Sequence, residues 1–405
     1  MPRSSYRAVL TTRHVARSFL PSSLGRLALA MSALALVLLL ERSSGSFAVA
    51  GAVTATVGIA NVVATPWRAR LIDRRGQPRV LTVLGLVHAC ALTGLALTGL
   101  ALAAESALPL LLVLAVVAGA STPPFAASMR ALWSAALPAG DVRRRGLSLD
   151  AVAGEVTYAI GPLVAALVAA AAGPLVSLLT AAAGVAVATV VFVTGPLSRV
   201  RSGTRPLDPS GRRERGRSPL RSPGFIPVMI AMTAPGMVLG VMDIAAPAIG
   251  AVERSTTLAG VLLALFAGVS GISGLVFGAL RLRASIERQL LFATAVLLVV
   301  VVTTGLVGGL AASLLGFALA GAFLAPGLIA GYVSADAHAD ASMRTEANGW
   351  MDTAVQLGTA LGALLYGATA DVAGPSVALV ASALAPALVL ACCVPSLSRR
   401  GDAAG

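Results

Sequence analysis

The stretch QLLFATAVLLVVVVTTGLVGGL, residues 289–310, carries no charged residue over 22 positions. A helix rises 1.5 Å per residue, so roughly 20 apolar residues cross a hydrocarbon core about 30 Å thick. This stretch is long enough to cross and too apolar for a soluble surface. Working outward from it, similar runs recur at 18–40, 46–66, 80–103, 107–130, 147–172, 174–197, 223–247, 257–280, 313–334, 346–370 and 375–396. With 289–310 they make twelve, and they predict an all-α integral membrane protein with twelve transmembrane helices.

Composition agrees with the local reading. Over 405 residues, charged side chains make up 12%, where a soluble domain carries about 25%. Hydrophobic residues stand at 57% before 42 glycines are added, and the mean hydropathy is +0.89. No water-soluble fold covers so much apolar surface with so few charges.

The cations set the orientation. All 30 basic residues are arginine. Without lysine there is neither a Schiff-base nucleophile nor a Walker A loop, so ATP-driven pumping by this chain is excluded. The net charge of +13 is not gathered into a nucleic-acid-binding patch. The arginines fall in short clusters between apolar runs, as the positive-inside rule requires. An even number of spans puts both termini on one side. With that side cytoplasmic, only Arg42 and Arg254 face outward, and the other 28 arginines lie in cytoplasmic segments or cytoplasmic half-helices. The chain is therefore expected to be a multi-pass protein of the cytoplasmic membrane. Its first run lacks a small-residue cleavage site and reads as an uncleaved first helix.

Enzyme signatures are missing from the sequence. His14, His88 and His338 form no HExxH, and no clustered Ser/His/Asp dyad is present. Cys90, Cys392 and Cys393 all lie in apolar runs without metal-ligand spacing. No cofactor, metal or nucleic acid is implied.

Five segments follow: an N-terminal arm (1–17), a six-span half (18–197), a polar linker (198–222), a second six-span half (223–396) and a tail (397–405). The linker, rich in Arg, Pro, Gly and Ser, is expected to be disordered and to rest on anionic lipid. The halves share a faint repeat. At a constant offset of 202, Gly119, Ala120 and Pro124 match Gly321, Ala322 and Pro326, and Asp150 matches Asp352. Parallel six-helix halves are a known transporter repeat.

The loop between the second and third spans reads WRARLIDRRGQPRVL, residues 67–81. It resembles the signature loop of the major facilitator superfamily, with Leu71, Asp73, Arg74, Gly76 and Arg79 on the motif and Ala69 where the family has glycine. The resemblance extends along the chain to actinobacterial drug and metabolite efflux-type members, through SYRAVL (5–10), TPPF (122–125), GEVTYAIGP (154–162) and TEANGWMDTAVQLG (345–358). It implies alternating access by two six-helix halves, with Asp73 contacting the cytoplasmic start of the eleventh span to close an inner gate. The family's antiporter motif in the fifth span is present as Gly161-Pro162, but Ala165 and Ala166 replace its final glycines.

Ionisable groups inside a span are functional candidates by default. Arg130 and Glu155 are equally far from the middle of the loop joining the fourth and fifth spans, hence at similar depth, and Arg26 lies at a similar depth in the first. The resemblance implies that Arg26, Arg130 and Glu155 border one cavity. Three readings stand side by side: a structural ion pair, a proton site at Glu155 released when arginine moves away, or an anionic-substrate site made by the arginines. Asp243, in the seventh span, is the second proton candidate. Asp150 and Asp352 are expected to act as ordinary helix-end caps, and His88 to be packed or on the lipid side. Asn61 and Gln356 are expected to bond between helices, and Trp67, Trp133 and Trp350 to anchor at the interface.

The leading reading is a secondary transporter, monomeric, that exports a small amphipathic drug or metabolite by proton antiport across the cell membrane. Its walls are Ala, Val, Leu, Gly and Met, with few aromatic residues for sugar stacking. Proton-symport uptake and a non-transporting sensor with the same fold are the alternatives.

Overall fold

The computed structural model describes residues 15–100, 108–136, 141–195, 219–222, 224–280, 284–338 and 344–401. The linker 198–222 lies almost wholly outside these, as does the N-terminal arm. All regular elements among the described residues are helical. In chain order they are α1 (Val15–Ser44), α2 (Phe47–Arg75), α3 (Gln77–Leu100), α4 (Leu108–Ser121), α5 (Phe125–Ala136), α6 (Asp141–Ala172) and α7 (Pro174–Thr194). After a 3-10 turn come α8 (Phe225–Ala231), α9 (Thr233–Val252), α10 (Thr256–Ala279), α11 (Ile286–Val307), α12 (Gly309–Ala337), α13 (Arg344–Ser382) and α14 (Leu384–Gly401).

Eleven helical runs among the described residues are long and apolar enough to cross a membrane. The last, Ala347–Leu397, covers 51 residues, far more than one crossing of about 30 Å needs. It is not continuous. Gly374 stands at φ 78° and ψ 167°, a conformation open essentially to glycine alone, and Pro375 follows it. The fourth predicted span is also interrupted. Pro123 and Pro124 supply no backbone N–H, so α4 stops at Ser121 and α5 restarts at Phe125.

The chain divides into two compact units. Unit 1 comprises Met1–Leu39 and Ala60–Arg212; unit 2 comprises Leu40–Ile59 and Arg213–Gly405. The division runs through α2, whose first residues belong to unit 2 and whose remainder belongs to unit 1.

In unit 1, α3 packs on α4 and α7. Gly85 of α3 faces the Thr189 side chain, where a methyl group would collide. One apolar cluster joins Phe19, Leu81, Met129, Leu132, Trp133 and Phe192, and a second joins Ala28, Phe125, Val185 and Ala188. The rings of Phe19 and Trp133 tilt against each other at 5.6 Å.

Unit 2 is built around the pairing of α9 and α13. Each helix carries a small-xxx-small pattern, Gly236/Gly240 on one and Gly358/Gly362 on the other. A methyl on Gly240 would overlap the Thr359 carbonyl, and one on Gly362 the Met237 carbonyl. In a membrane, where no hydrophobic force drives helices together, such backbone approach supplies the dispersion contact that holds them. The glycines of the seventh span thus make a tight seam.

Candidate functional site: a buried ion pair beside a broken helix

The first group lies in unit 1. Arg26 projects from the middle of α1, and its Nη2 donates to Asp150 Oδ1 at 2.7 Å while Nη1 donates to the Asp150 carbonyl at 3.2 Å. The two side chains are 10% and 3% exposed. Trp133 Nε1 reaches the same Oδ1 at 3.5 Å from α5. One carboxylate therefore gathers a guanidinium from α1 and an indole from α5 onto α6. Removing one member of such a buried pair leaves an uncompensated charge, at a cost of about 3–5 kcal/mol.

Two sequence expectations change here. Asp150 is a buried ion-pair partner and does not serve as an exposed helix-end cap. Trp133 is fully buried, packed on Phe19 and facing Asp150, and so does not anchor at the interface. Trp67, by contrast, is exposed. Arg130 is exposed, and the Glu155 side chain lies outside the described residues. The partner the structure gives Arg26 is thus Asp150, five residues before Glu155. Five helical residues are about 7.5 Å, within what an arginine and a helix offset can absorb, so equal depth alone could not choose between the two carboxylates.

A second group sits at the α4–α5 break. Arg68 is 4% exposed. Its Nη1 donates to the carbonyls of Thr122 and Gly119, and its Nη2 to Asn61 and Thr65 of its own helix. His88 is also buried, and its Nδ1 lies 2.8 Å from the Ala118 carbonyl, so that nitrogen carries the proton. The interrupted α4 leaves C-terminal carbonyls without intrahelical donors, and these two basic side chains supply them. Asn61 thus bonds within its own helix, through Arg68. The sequence held the cue to this group, since TPP breaks a helix and a nearby arginine can satisfy the carbonyls it frees.

The signature loop is described in part. Gly76 has φ +86°, which ends α2 at Arg75 and lets α3 begin at Gln77; only glycine takes this conformation without strain. Arg74 and Arg79 are exposed, while the Asp73 side chain lies outside the described residues. In α6, Gly161 lies against Ala30 of α1, and Pro162 follows it inside the helix.

Unit 2 holds other carboxylates. Asp243 of α9 is half-buried and makes no hydrogen bond or ion pair to any described residue. Asp352, the repeat partner of Asp150, accepts a bond from the Tyr332 hydroxyl. Glu287 accepts one from Ser334 at 2.9 Å. Gln356 is exposed.

The family model of the Major Facilitator Superfamily matches residues 22–363. The chain belongs to the major facilitator superfamily. Members of this superfamily are transporters, and this chain is a multi-pass transport protein and not an enzyme. Solved structures agree on the fold. A variant of the nucleoside transporter NupG superposes with a TM-score of 0.77 at 13% identity, covering 95% of this chain and 99% of that one. The peptide transporter POT in complex with sulfate gives 0.73 at 15% identity, covering 98% and 99%. A bacterial homologue of the human lysosomal transporter Spinster, inward-facing and occupied, gives 0.72 at 14% identity, covering 97% of each chain. No curated protein matches the sequence.

Proposed function

We propose that this member of the superfamily is a proton-coupled exporter of a small amphipathic organic molecule. It crosses the cytoplasmic membrane twelve times, with both termini inside, and works as a monomer by alternating access of its two six-helix halves. The observation that carries the coupling is the Arg26–Asp150 pair, a charged couple buried between α1 and α6.

The chemistry follows from the cost of parting the pair. While Arg26 holds Asp150, each charge offsets the other. A movement that draws α1 from α6 leaves Asp150 buried without its cation, and burial then favours the protonated form. A proton taken up there neutralises the carboxylate and frees the arginine, so the re-formed pair must expel the proton. Glu155, a turn and a half further along α6, and Asp243, without a described partner, are the other proton candidates. Arg130 remains a candidate charge partner on α5. Asp73, Arg74, Gly76 and Arg79 are assigned to the inner gate, and Gly161 with Pro162 to the close contact of α6 with α1. The scarcity of hydrogen-bonding and aromatic side chains in the spans supports an amphipathic substrate over a sugar or a phosphate.

The test is cellular retention of a panel of labelled drugs and metabolites. Cells expressing wild type are compared with cells expressing Asp150→Asn, Glu155→Gln or Asp243→Asn, with and without a protonophore. Retention lowered by wild type, and restored by Asp150→Asn and by the protonophore, supports the proposal. Raised retention would turn the reading to uptake.

A further inference from the structure

Helix α2 begins at Phe47 under an unusual cap. Ser46, the residue before it, accepts from Val49 N through its hydroxyl oxygen at 3.2 Å, an ordinary serine cap. A second acceptor comes from elsewhere in the chain. Asp371 of α13 accepts from Phe47 N at 2.6 Å, from Ala48 N at 2.9 Å and from the Ser46 hydroxyl. Three donors at one helix start converge on a single carboxylate, and the N-terminal end of the helix dipole faces that anion. Asp371 is exposed on the protein surface.

Below the cap the two helices touch backbone to backbone. A methyl on Gly51 would lie 2.6 Å from the Ala363 carbonyl, and one on Gly367 would overlap the Phe47 carbonyl. Such backbone approach supplies dispersion contact along the seam. The Asp371 contact adds a directional, charged hold at its end.

The position of α2 gives this contact a use. Residues Leu40–Ile59 belong to unit 2, and the rest of the helix belongs to unit 1. One continuous helix is thus held at its start by unit 2 and over its second half by unit 1. Any movement of one unit against the other must bend α2 or release one of its two holds.

We propose that Asp371 is a latch: its capping of α2 keeps the face of the transporter at the 44–47 turn closed, and release of the cap opens that face. With the termini inside, this is the outer face. The latch as a gate rests on the alternating-access reading above; the cap itself does not.

Two readouts test it in the full-length protein in nanodiscs. Amide exchange over residues 47–49 reports the cap. Spin labels at Ser43→Cys and Val372→Cys, in a background with the three native cysteines replaced, report the separation of the two helix ends. In Asp371→Asn, which keeps the size but removes the charge, the amides should exchange about tenfold faster and a longer distance population should appear. Ser46→Ala, which removes one donor from the other side, should give a smaller change in the same direction. Unchanged exchange overturns the cap. Faster exchange with an unchanged distance overturns the latch and leaves a simple helix cap. A distance that responds in a protein that moves no substrate would sustain the latch and remove the transport reading instead.

Discussion

Arg26 and Asp150 stand 124 positions apart in the chain and meet at 2.7 Å, with side chains 10% and 3% exposed. Their energetics differ from those of a surface salt bridge. Exposed pairs are worth about 0–1 kcal/mol, whereas breaking a buried one strands a charge. Arg26→Met should therefore destabilise the protein by about 3–5 kcal/mol. Adding Asp150→Leu to that variant should recover most of the loss, because the stranded charge is gone. Thermal unfolding in detergent measures both; a double variant no more stable than the single one would contradict this account of the pair.

The α9–α13 seam makes a steric prediction. Gly240→Ala would place a methyl group on the Thr359 carbonyl, and backbone cannot move aside as a side chain can. Overpacking of this kind costs about 1–3 kcal/mol. Gly268 has nothing within 4 Å of where its methyl group would lie, so Gly268→Ala should be neutral or slightly stabilising. Melting temperatures of the two purified variants should separate clearly, and equal values would remove the case for a tight seam.

Much of the architecture was readable along the chain because crossing a bilayer is a local property. The run 289–310 needs no partner to declare itself, and the helix Ile286–Val307 lies there. The TPP break at 122–124 and the turn at Gly76 were equally local, since proline and positive φ act within one or two residues. The pairing of Asp150 was not local. It depends on the relative height and rotation of α1, α5 and α6, and a five-residue ambiguity in depth separates Asp150 from Glu155. Trp133 shows the same limit: a tryptophan near a span's end suits the interface by composition, yet a facing Phe19 and Asp150 bury it. The Asp371 cap joins residues more than 300 positions apart, beyond any pattern a single sequence displays.

Arg68 should not tolerate lysine. One terminal nitrogen serves the Gly119 and Thr122 carbonyls at the end of α4 and the other the Asn61 carbonyl of its own helix, a forked geometry that a single ammonium cannot reproduce. Each hydrogen bond to a charged donor is worth about 1.5–3 kcal/mol, so Arg68→Lys should cost at least one such bond. The loss should concentrate at the α4–α5 break. Faster amide exchange in residues 119–128, with little change in α7, is the expected pattern; a uniform loss across unit 1 would argue for a general packing role.

The substitution Gly76→Ala tests the turn of the signature loop. An alanine at φ +86° costs about 1–2 kcal/mol in backbone strain. The strain should loosen the start of α3 and reduce transport in the retention assay while leaving membrane insertion intact. Wild-type transport in Gly76→Ala would show that the loop's geometry is not needed for gating.

The most direct test of the coupling claim uses purified protein in liposomes, with the best substrate from the retention panel and an imposed proton gradient. Wild type should drive substrate against its own gradient when the proton gradient is present and only equilibrate it when the gradient is collapsed. Asp150→Asn should still exchange labelled for unlabelled substrate but should lose gradient-driven accumulation. Undiminished accumulation by Asp150→Asn would contradict the account and remove the Arg26–Asp150 pair from the coupling mechanism.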